Sequence, residues 1–90
     1  MDQEYKYTYQ KLHKIYKKYQ QRYKNINSKQ MCCMWSTKNP PDEIYETDQF
    51  NDIEKVFNII IREDNALEIY DMNLDDATKK IIELKKYQYK

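Results

Sequence analysis

The chain has 90 residues, of which 40% are hydrophobic and 34% are charged, with ten tyrosines and no glycine. That length accommodates one small domain without a deep cofactor cavity, and the aromatic content is too high for a disordered chain. Without glycine, the chain lacks the loop that cradles phosphates in nucleotide-binding proteins. We expect a single domain, 1–90, with a long basic helix over 1–29, an irregular segment over 30–47 and a helical unit over 48–90.

Charge is segregated along the chain, although the net charge is only +1. Residues 1–30 carry eight Lys and Arg against two acids, residues 42–76 carry twelve acids against two basic residues, and residues 79–90 carry five Lys against one Glu. Two explanations stay open. The basic ends cover the acidic middle within one chain, or a charged face is exposed to nucleic acid or to a protein partner.

The amino-terminal residues lack the apolar core of a secretory signal, and no run approaches the roughly 18 apolar residues of a membrane span. Cys32 and Cys33 are adjacent, a spacing that rarely forms a disulfide because the resulting ring is strained. We therefore expect reduced thiols, a cytoplasmic location in a bacterial or host cell, and no membrane contact.

The most informative stretch is the first thirty residues, where apolar and aromatic side chains recur at alternating steps of four and three. This spacing places them on one stripe of a long α-helix. The stripe consists of Tyr5, Tyr9, Leu12, Tyr16, Tyr19, Tyr23 and Ile26. Tyr7 and Ile15 lie off it and either widen the apolar surface or form exposed contacts. Because a tyrosine hydroxyl needs water or a polar partner, the stripe suits a shallow packing face on the rest of the chain or on another protein.

The segment that follows combines Met31, two cysteines, Met34 and Trp35, and then reaches the pair Pro40 and Pro41. The double proline predicts an extended path. We expect the Met/Cys/Trp cluster to fill the core beneath the first helix. The alternative is an exposed anchor in which Trp35 contacts a partner.

A second helix is predicted from Thr47 or Asp48 as its N-cap, with Phe50, Ile53 and Phe57 at helical spacing. The region after it is ambiguous. The isoleucine run and the alternation at 67–70 would suit a β-hairpin near 57–72, whereas Asp64 could cap a short helix over 65–71.

A last helix is predicted with Asn73 as its cap and Asp76 three residues on. Its inner stripe consists of Leu74, Ala77, Ile81 and Leu84. We therefore predict an all-α fold, with the long N-terminal helix packed on a small three-helix unit. The alternative is an α+β fold that contains the hairpin.

The order of predicted helices and turns over residues 42–82 resembles that of the acyl carrier protein family. The matching residues are Phe57, Asn58-Ile59-Ile60-Ile61, Glu63-Asp64, Ala66, Ile69, Leu74-Asp75-Asp76-Ala77 and Ile81. The resemblance implies a four-helix fold. In that family a serine bears the phosphopantetheine group, but Glu43 stands at the corresponding position and cannot be acylated. The resemblance thus implies an acyl-carrier-like protein that lacks the prosthetic group.

No catalytic set is recognisable in the sequence. His13 lies on the charged side of the first helix without a nucleophile or an orienting carboxylate in helical reach, so we expect a solvated surface histidine. Cys32 and Cys33 lack the spacer of a redox or zinc pair. Asp75 and Asp76 lack the glycine of a calcium loop and suit the first turn of a helix. We expect no enzyme activity, no cofactor and no metal.

The sequence therefore favours a small interaction module, an adaptor or inhibitor that binds a larger, nucleic-acid-handling protein, as the small charge-segregated proteins of phages and mobile elements do. Tyrosine suits this role because it gives large contact area at low entropic cost. The predicted partner-binding residues are Tyr5, Tyr9, Lys14, Tyr16, Lys17, Lys18, Tyr19, Arg22, Tyr23 and Trp35. A homodimer through the first helix and nucleic-acid binding by its basic side stay open as alternatives, the acidic middle counting against the second.

Overall fold

The computed structural model describes residues 3–23, 29–35 and 42–88 and confirms the all-α prediction. Two short 3₁₀ turns, Met31–Met34 and Ile44–Glu46, precede the helical unit. The four helices are α1 (Gln3–Tyr23), α2 (Asp48–Phe57), α3 (Glu63–Tyr70) and α4 (Leu74–Gln88). The long helix α1 packs against α4, the Met31–Met34 turn and α2. No helix in the described ranges combines the length and apolar content needed for a membrane crossing.

Helix α1 forms because lysine, arginine and glutamine, all good helix formers, surround an apolar face. Glu4 in the first turn and Arg22 in the last complement the helix dipole. The buried face is formed by Thr8, Leu12, Ile15, Tyr16, Tyr19 and Gln20. Ile15, predicted off the stripe, therefore widens the core, whereas Tyr7 is 55% exposed. Burial of a large apolar side chain contributes about 1.5–3 kcal/mol, so this face anchors the helix.

The Met/Cys/Trp cluster fills the core, as predicted. Met31 and Met34 are fully buried, and Trp35 is 4% exposed. The indole ring lies 5.2 Å from the rings of both Phe50 and Tyr70, and its Nε1–H donates to the Thr47 hydroxyl at 3.2 Å. Trp35 thereby joins the loop to α2 and α3.

The region that the sequence left ambiguous contains no strand; the hairpin alternative is wrong. Helix α2 ends at Phe57 and is followed by its C-cap Asn58, whose left-handed backbone (φ 55°) suits asparagine at a helix terminus. An extended segment over 59–62 follows, and α3 then begins at Glu63 with Arg62 as its N-cap. Asp64 lies in the first turn of α3, so the prediction that it caps the helix is wrong.

The cap positions agree with the predictions in two places. Asn73 Oδ1 accepts the backbone N–H of Asp76 at 2.8 Å, which confirms the cap of α4. Thr47 occupies the N-cap position of α2, but its hydroxyl donates to the Ile44 carbonyl instead of accepting from the helix. The predicted fraying of the first helix near 25–28 and the extended path through Pro40 and Pro41 lie outside the described residues.

A backbone bridge joins the loop before the Met31–Met34 turn to the start of α4. Leu74 N–H donates to the Lys29 carbonyl, and Met31 N–H donates to the Met72 carbonyl, both at 2.9 Å. Lys29 N–H in turn donates to the Tyr16 hydroxyl at 3.1 Å. The hydroxyl of a buried tyrosine on α1 therefore fixes the loop that supports the first turn of α4.

One buried side-chain polar atom of the described residues lacks a hydrogen-bond partner. The hydroxyl of Thr8 on α1 is fully buried and unpaired, whereas the buried Thr78 hydroxyl of α4 donates to the Leu74 carbonyl at 2.7 Å. An unpaired buried hydroxyl destabilises the folded state, because no hydrogen bond compensates for the loss of its contacts with water.

We expect Thr8→Val to raise the free energy of unfolding by about 1 kcal/mol, because valine has nearly the same shape and no unpaired oxygen. Thr78→Val is the matched control, since it makes the same change but removes a hydrogen bond, and it should give no such gain. Urea unfolding followed by circular dichroism measures both. A loss of stability in Thr8→Val would show that its hydroxyl has a partner.

Candidate functional site

The predicted partner-binding residues divide into a buried and an accessible group. Tyr16 is 0% exposed, Tyr19 2% and Trp35 4%, so the structure corrects the prediction that they contact a partner: they form this chain's own core. Tyr5 and Tyr9 are half-buried. The side chain of Tyr23 and the stripe residue Ile26 lie outside the described residues.

The accessible tyrosines form a ladder of stacked rings along α1. The centroids of Tyr5 and Tyr9 are 6.1 Å apart, those of Tyr9 and His13 are 6.0 Å apart, and those of His13 and Tyr16 are 6.1 Å apart, with interplanar angles of 12–24°. His13 is therefore half-buried between two tyrosines, not a solvated surface histidine as predicted. The ladder continues from the buried Tyr16 to the open first turn of the helix.

Tyr5 and Tyr9 line one wall of a groove of about 550 Å³, here called the α1/α4 groove. Its other lining residues are Lys29, Gln30, Asn73, Leu74 and Asp75. Leu74 is buried, whereas the other four are exposed, so the groove has an aromatic wall, an apolar base and a polar rim open to solvent. Lys29 and Asp75 give the rim one charge of each sign.

The rim of the groove is held by a backbone bridge and by a side-chain ion pair. Gln30 and Asn73 form an isolated antiparallel bridge, and Asp75 forms an ion pair with Lys79 at 3.3 Å. Lys29 adopts a left-handed backbone (φ 63°) at which a residue with a side chain is strained. The rim is therefore positioned by the same contacts that fix α4.

Two of the four basic residues in the C-terminal half of α1, Lys18 and Arg22, make contacts within the chain. Lys18 Nζ lies 3.1 Å from the Asp52 carboxylate, and the Tyr19 hydroxyl donates to the same carboxylate at 2.6 Å. Lys18 and Arg22 also lie 5.0 and 5.2 Å from the Tyr19 ring centroid. Lys14 and Lys17 form no ion pair within the described residues.

The contacts at Asp52 perturb two pKa values. Burial by itself raises the pKa of Asp52, but the hydrogen bonds from Tyr19 and Lys18, together with the lysine charges, outweigh burial and lower it. Burial and the hydrogen bond to Asp52 raise the pKa of the Tyr19 hydroxyl. The carboxylate therefore stays ionised and ties α1 to α2.

Sequence reasoning missed the wall of the groove opposite the tyrosines. Lys29, Gln30, Asn73 and Asp75 come from segments more than forty residues apart, and no spacing pattern joins them. It also missed His13 as a member of the ladder, although its position four residues after Tyr9 was a usable signal.

No set of three or more His, Cys, Asp and Glu within the described ranges is arranged to hold a metal ion. Cys32 and Cys33 are reduced, half-buried cysteines that form no disulfide with another described residue. Burial, and then the neighbouring Cys33, raise the pKa of the Cys32 thiol, which disfavours the nucleophilic thiolate at neutral pH. Asp75 and Asp76 lie in the first turn of α4, as predicted.

Comparisons with family models, with curated proteins and with solved structures find no match for this chain. The resemblance of residues 42–82 to acyl carrier proteins therefore stays a prediction. The α1/α4 groove is the described cavity whose wall contains accessible tyrosines from the predicted partner-binding set.

The Asp52 contacts make stability depend on pH. Because the folded pKa of Asp52 is lowered, its contribution is complete above the unfolded pKa of about 3.9 and is lost as the pH falls through the folded pKa. We expect Asp52→Asn to lower the free energy of unfolding by about 1–2 kcal/mol at neutral pH, and by progressively less below about pH 4.

Urea unfolding of the wild type and Asp52→Asn across a pH series measures this difference. The control is Asp42→Asn, since Asp42 is exposed and has no partner among the described residues. A difference that stays constant with pH would contradict the account of the Asp52 contacts.

Proposed function

We propose that this chain is a non-enzymatic protein-interaction module, an adaptor or inhibitor that receives a segment of a larger protein in the α1/α4 groove. The observation that carries the proposal is the division of the tyrosine stripe. Its middle part is buried in the core, whereas Tyr5 and Tyr9 stay accessible along an open groove.

The chemistry of the groove suits a protein segment. Tyrosine provides apolar contact area together with a hydroxyl, and it loses little side-chain entropy on binding. The stacking of Tyr5 on Tyr9 and of Tyr9 on His13 further restrains the rings before a partner arrives, which lowers the cost of association. The polar rim can then hydrogen-bond to the backbone of the bound segment, while an apolar side chain reaches the base at Leu74.

The experiment compares wild type, a Tyr5→Ala/Tyr9→Ala double variant and the matched control Tyr7→Ala. The control removes the same kind of ring from an exposed position outside the groove. Each protein is used as bait in an extract of its native cells, and the proteins recovered by wild type are identified by mass spectrometry. Circular dichroism melting shows whether each variant is folded.

We expect one recovered protein to be lost with the double variant and retained with Tyr7→Ala, with an affinity loss of about tenfold or more in a purified titration. If the double variant is folded and still binds, or if Tyr7→Ala binds equally poorly, the groove is not the docking surface. If recovery of a protein is lost with Lys14→Gln but not with the tyrosine variants, that protein contacts the basic side of α1.

Nucleic-acid binding is a second candidate, favoured by the outer side of α1. Lys6, Lys14 and Lys17 form no ion pair within the described residues, and Lys11 lies 5.3 Å from the centroid of the exposed Tyr7 ring. Such a row of cations beside an aromatic ring suits a phosphate backbone. The acidic residues of α2 and α3 oppose it.

If this candidate is right, the wild-type chain should retard DNA or RNA in a gel at low salt, and the affinity should fall steeply with added salt. Lys14→Gln/Lys17→Gln should reduce the slope of log affinity against log salt by about two units. Glu4→Gln, which alters a charge on the same helix in the opposite sense, is the control. Absence of retardation at low ionic strength would exclude this function.

A further inference from the structure

A second surface lies where α2, α3 and the Ile44–Glu46 turn meet. Its lining residues differ in chemical character from those of the α1/α4 groove. A pocket of about 550 Å³ opens there, here called the Ile60 pocket. It is lined by Tyr45, Glu46, Asn51, Glu54, Ile60, Ile61, Arg62 and Glu63. The Ile44–Glu46 turn packs on α2 and α3, whereas α1 packs chiefly on α4, the Met31–Met34 turn and α2.

The distinctive feature of this pocket is an isoleucine held at the surface. The side chain of Ile60 is 64% exposed, the most exposed aliphatic side chain of the described core segments, while its neighbours Ile59 and Ile61 are buried. Exposure of this apolar side chain costs free energy of hydration, and the Ile60 backbone is held in place by hydrogen bonds.

Side chains from α2 and α4 make three hydrogen bonds to the backbone of Ile60 and Ile61. Ile60 N–H donates to Gln88 Oε1, and Gln88 Nε2 donates to the Ile60 carbonyl, both at 2.8 Å. Ile61 N–H donates to Glu54 Oε2 at 2.8 Å. The extended segment is therefore fixed from both sides, with the Ile60 side chain directed away from the core and into solvent.

The rim of the pocket is acidic. Glu46, Glu54 and Glu63 line it against a single cation, Arg62, and Arg62 forms no ion pair within the described residues. The charge of the neighbouring Glu43 raises the pKa of the Glu46 carboxyl. The pKa of the Tyr45 hydroxyl is also raised, first by the charge of Glu46 and then by burial and the charge of Glu43. Glu46 thus enters the rim next to a repelling carboxylate, that of Glu43, and a cation placed beside Glu46 would relieve that repulsion.

We propose that the Ile60 pocket is a second docking surface, and that its occupant is a cationic, amphipathic segment of another protein, with Lys or Arg side chains at Glu46 and Glu63 and an apolar side chain on Ile60. Charge complementarity selects this occupant over an acidic or neutral one. The proposal goes beyond the α1/α4 groove: two surfaces of different chemistry on one small chain would make it a bridging adaptor.

The probe is an acetylated and amidated synthetic peptide that alternates lysine, alanine and leucine, with a glutamate-for-lysine version as its control. It is titrated into the full chain while backbone and isoleucine methyl resonances are recorded. We expect saturable shifts at Ile60, Ile61 and Glu63, no comparable shifts at Tyr5 and Tyr9, and no binding of the acidic peptide.

Three variants distinguish specific binding in the Ile60 pocket from general electrostatic attraction of the peptide to the chain. Glu46→Gln/Glu63→Gln should weaken the lysine peptide about tenfold, since two rim charges are removed. Asp64→Asn/Asp71→Asn removes the same charge from exposed positions outside the pocket and should change the affinity by less than about twofold. Ile60→Ser keeps every charge and should weaken binding by about fivefold.

Equal weakening by the two charge-removing pairs would reduce the binding to general electrostatic attraction and overturn the proposal. So would unchanged affinity in Ile60→Ser, or shifts that map to the α1/α4 groove. Shifts at Ile60 that grow with protein concentration in the absence of peptide would identify a second copy of the chain as the occupant instead. Because the probe is judged at Ile60 and not at Tyr9, failure here leaves the groove proposal standing.

Discussion

The structure depends on two tyrosine hydroxyls that are satisfied where their rings are buried. Tyr16 and Tyr19 place large aromatic surfaces in the core, and a buried hydroxyl is costly unless it is hydrogen-bonded. Tyr16 accepts the Lys29 backbone N–H, and Tyr19 donates to Asp52. Each ring therefore packs against the core while its hydroxyl fixes a neighbouring element. One contact supports the start of α4 through Leu74, and the other ties α1 to α2.

This arrangement explains how a chain without glycine and with few aliphatic residues on its first helix can still form a packed core. The phenol rings supply area that leucine would supply elsewhere, and their hydroxyls supply directional contacts that leucine cannot. It also explains why the stripe continues beyond the core. Toward the first turn of α1, Tyr5 and Tyr9 have the same spacing, but there the stripe lines an open groove and Tyr9 is only partly buried against the core.

Charge segregation has only a limited internal role. Within the described residues, two ion pairs connect different helices: Lys18 with Asp52, and Lys80 with Glu68. Exposed ion pairs contribute little, typically below about 1 kcal/mol. The basic side of α1 and the acidic Ile60 pocket are consequently not neutralised by each other within these ranges. Ion pairing between the separated charges therefore contributes little to the stability of the fold.

The sequence predicted the helices wherever a long periodic stripe or a cap residue was present, as in α1 and at Asn73. It predicted the first stripe too narrowly, since Ile15 lies only about 60° from Leu12 around a helix of 3.6 residues per turn and falls within the buried face. The isoleucine run could not be resolved locally. Its conformation is decided by Glu54 and Gln88, which reach it from two different helices.

The candidate sites were less predictable than the fold. The tyrosines of the α1/α4 groove were found by spacing, but the same spacing also included Tyr16 and Tyr19, which are core residues. Only tertiary packing separates the two groups. The opposite wall of the groove arises from a backbone bridge between Gln30 and Asn73, for which no local sequence signal exists.

The most direct test of this account is chemical nitration of the folded chain with tetranitromethane, followed by mass spectrometry of each tyrosine over time. If the stripe is divided as described, Tyr7 reacts first, Tyr5 and Tyr9 follow, and Tyr16 and Tyr19 react only when the chain is unfolded. Equal reaction of Tyr9 and Tyr16 in the folded chain would contradict the account.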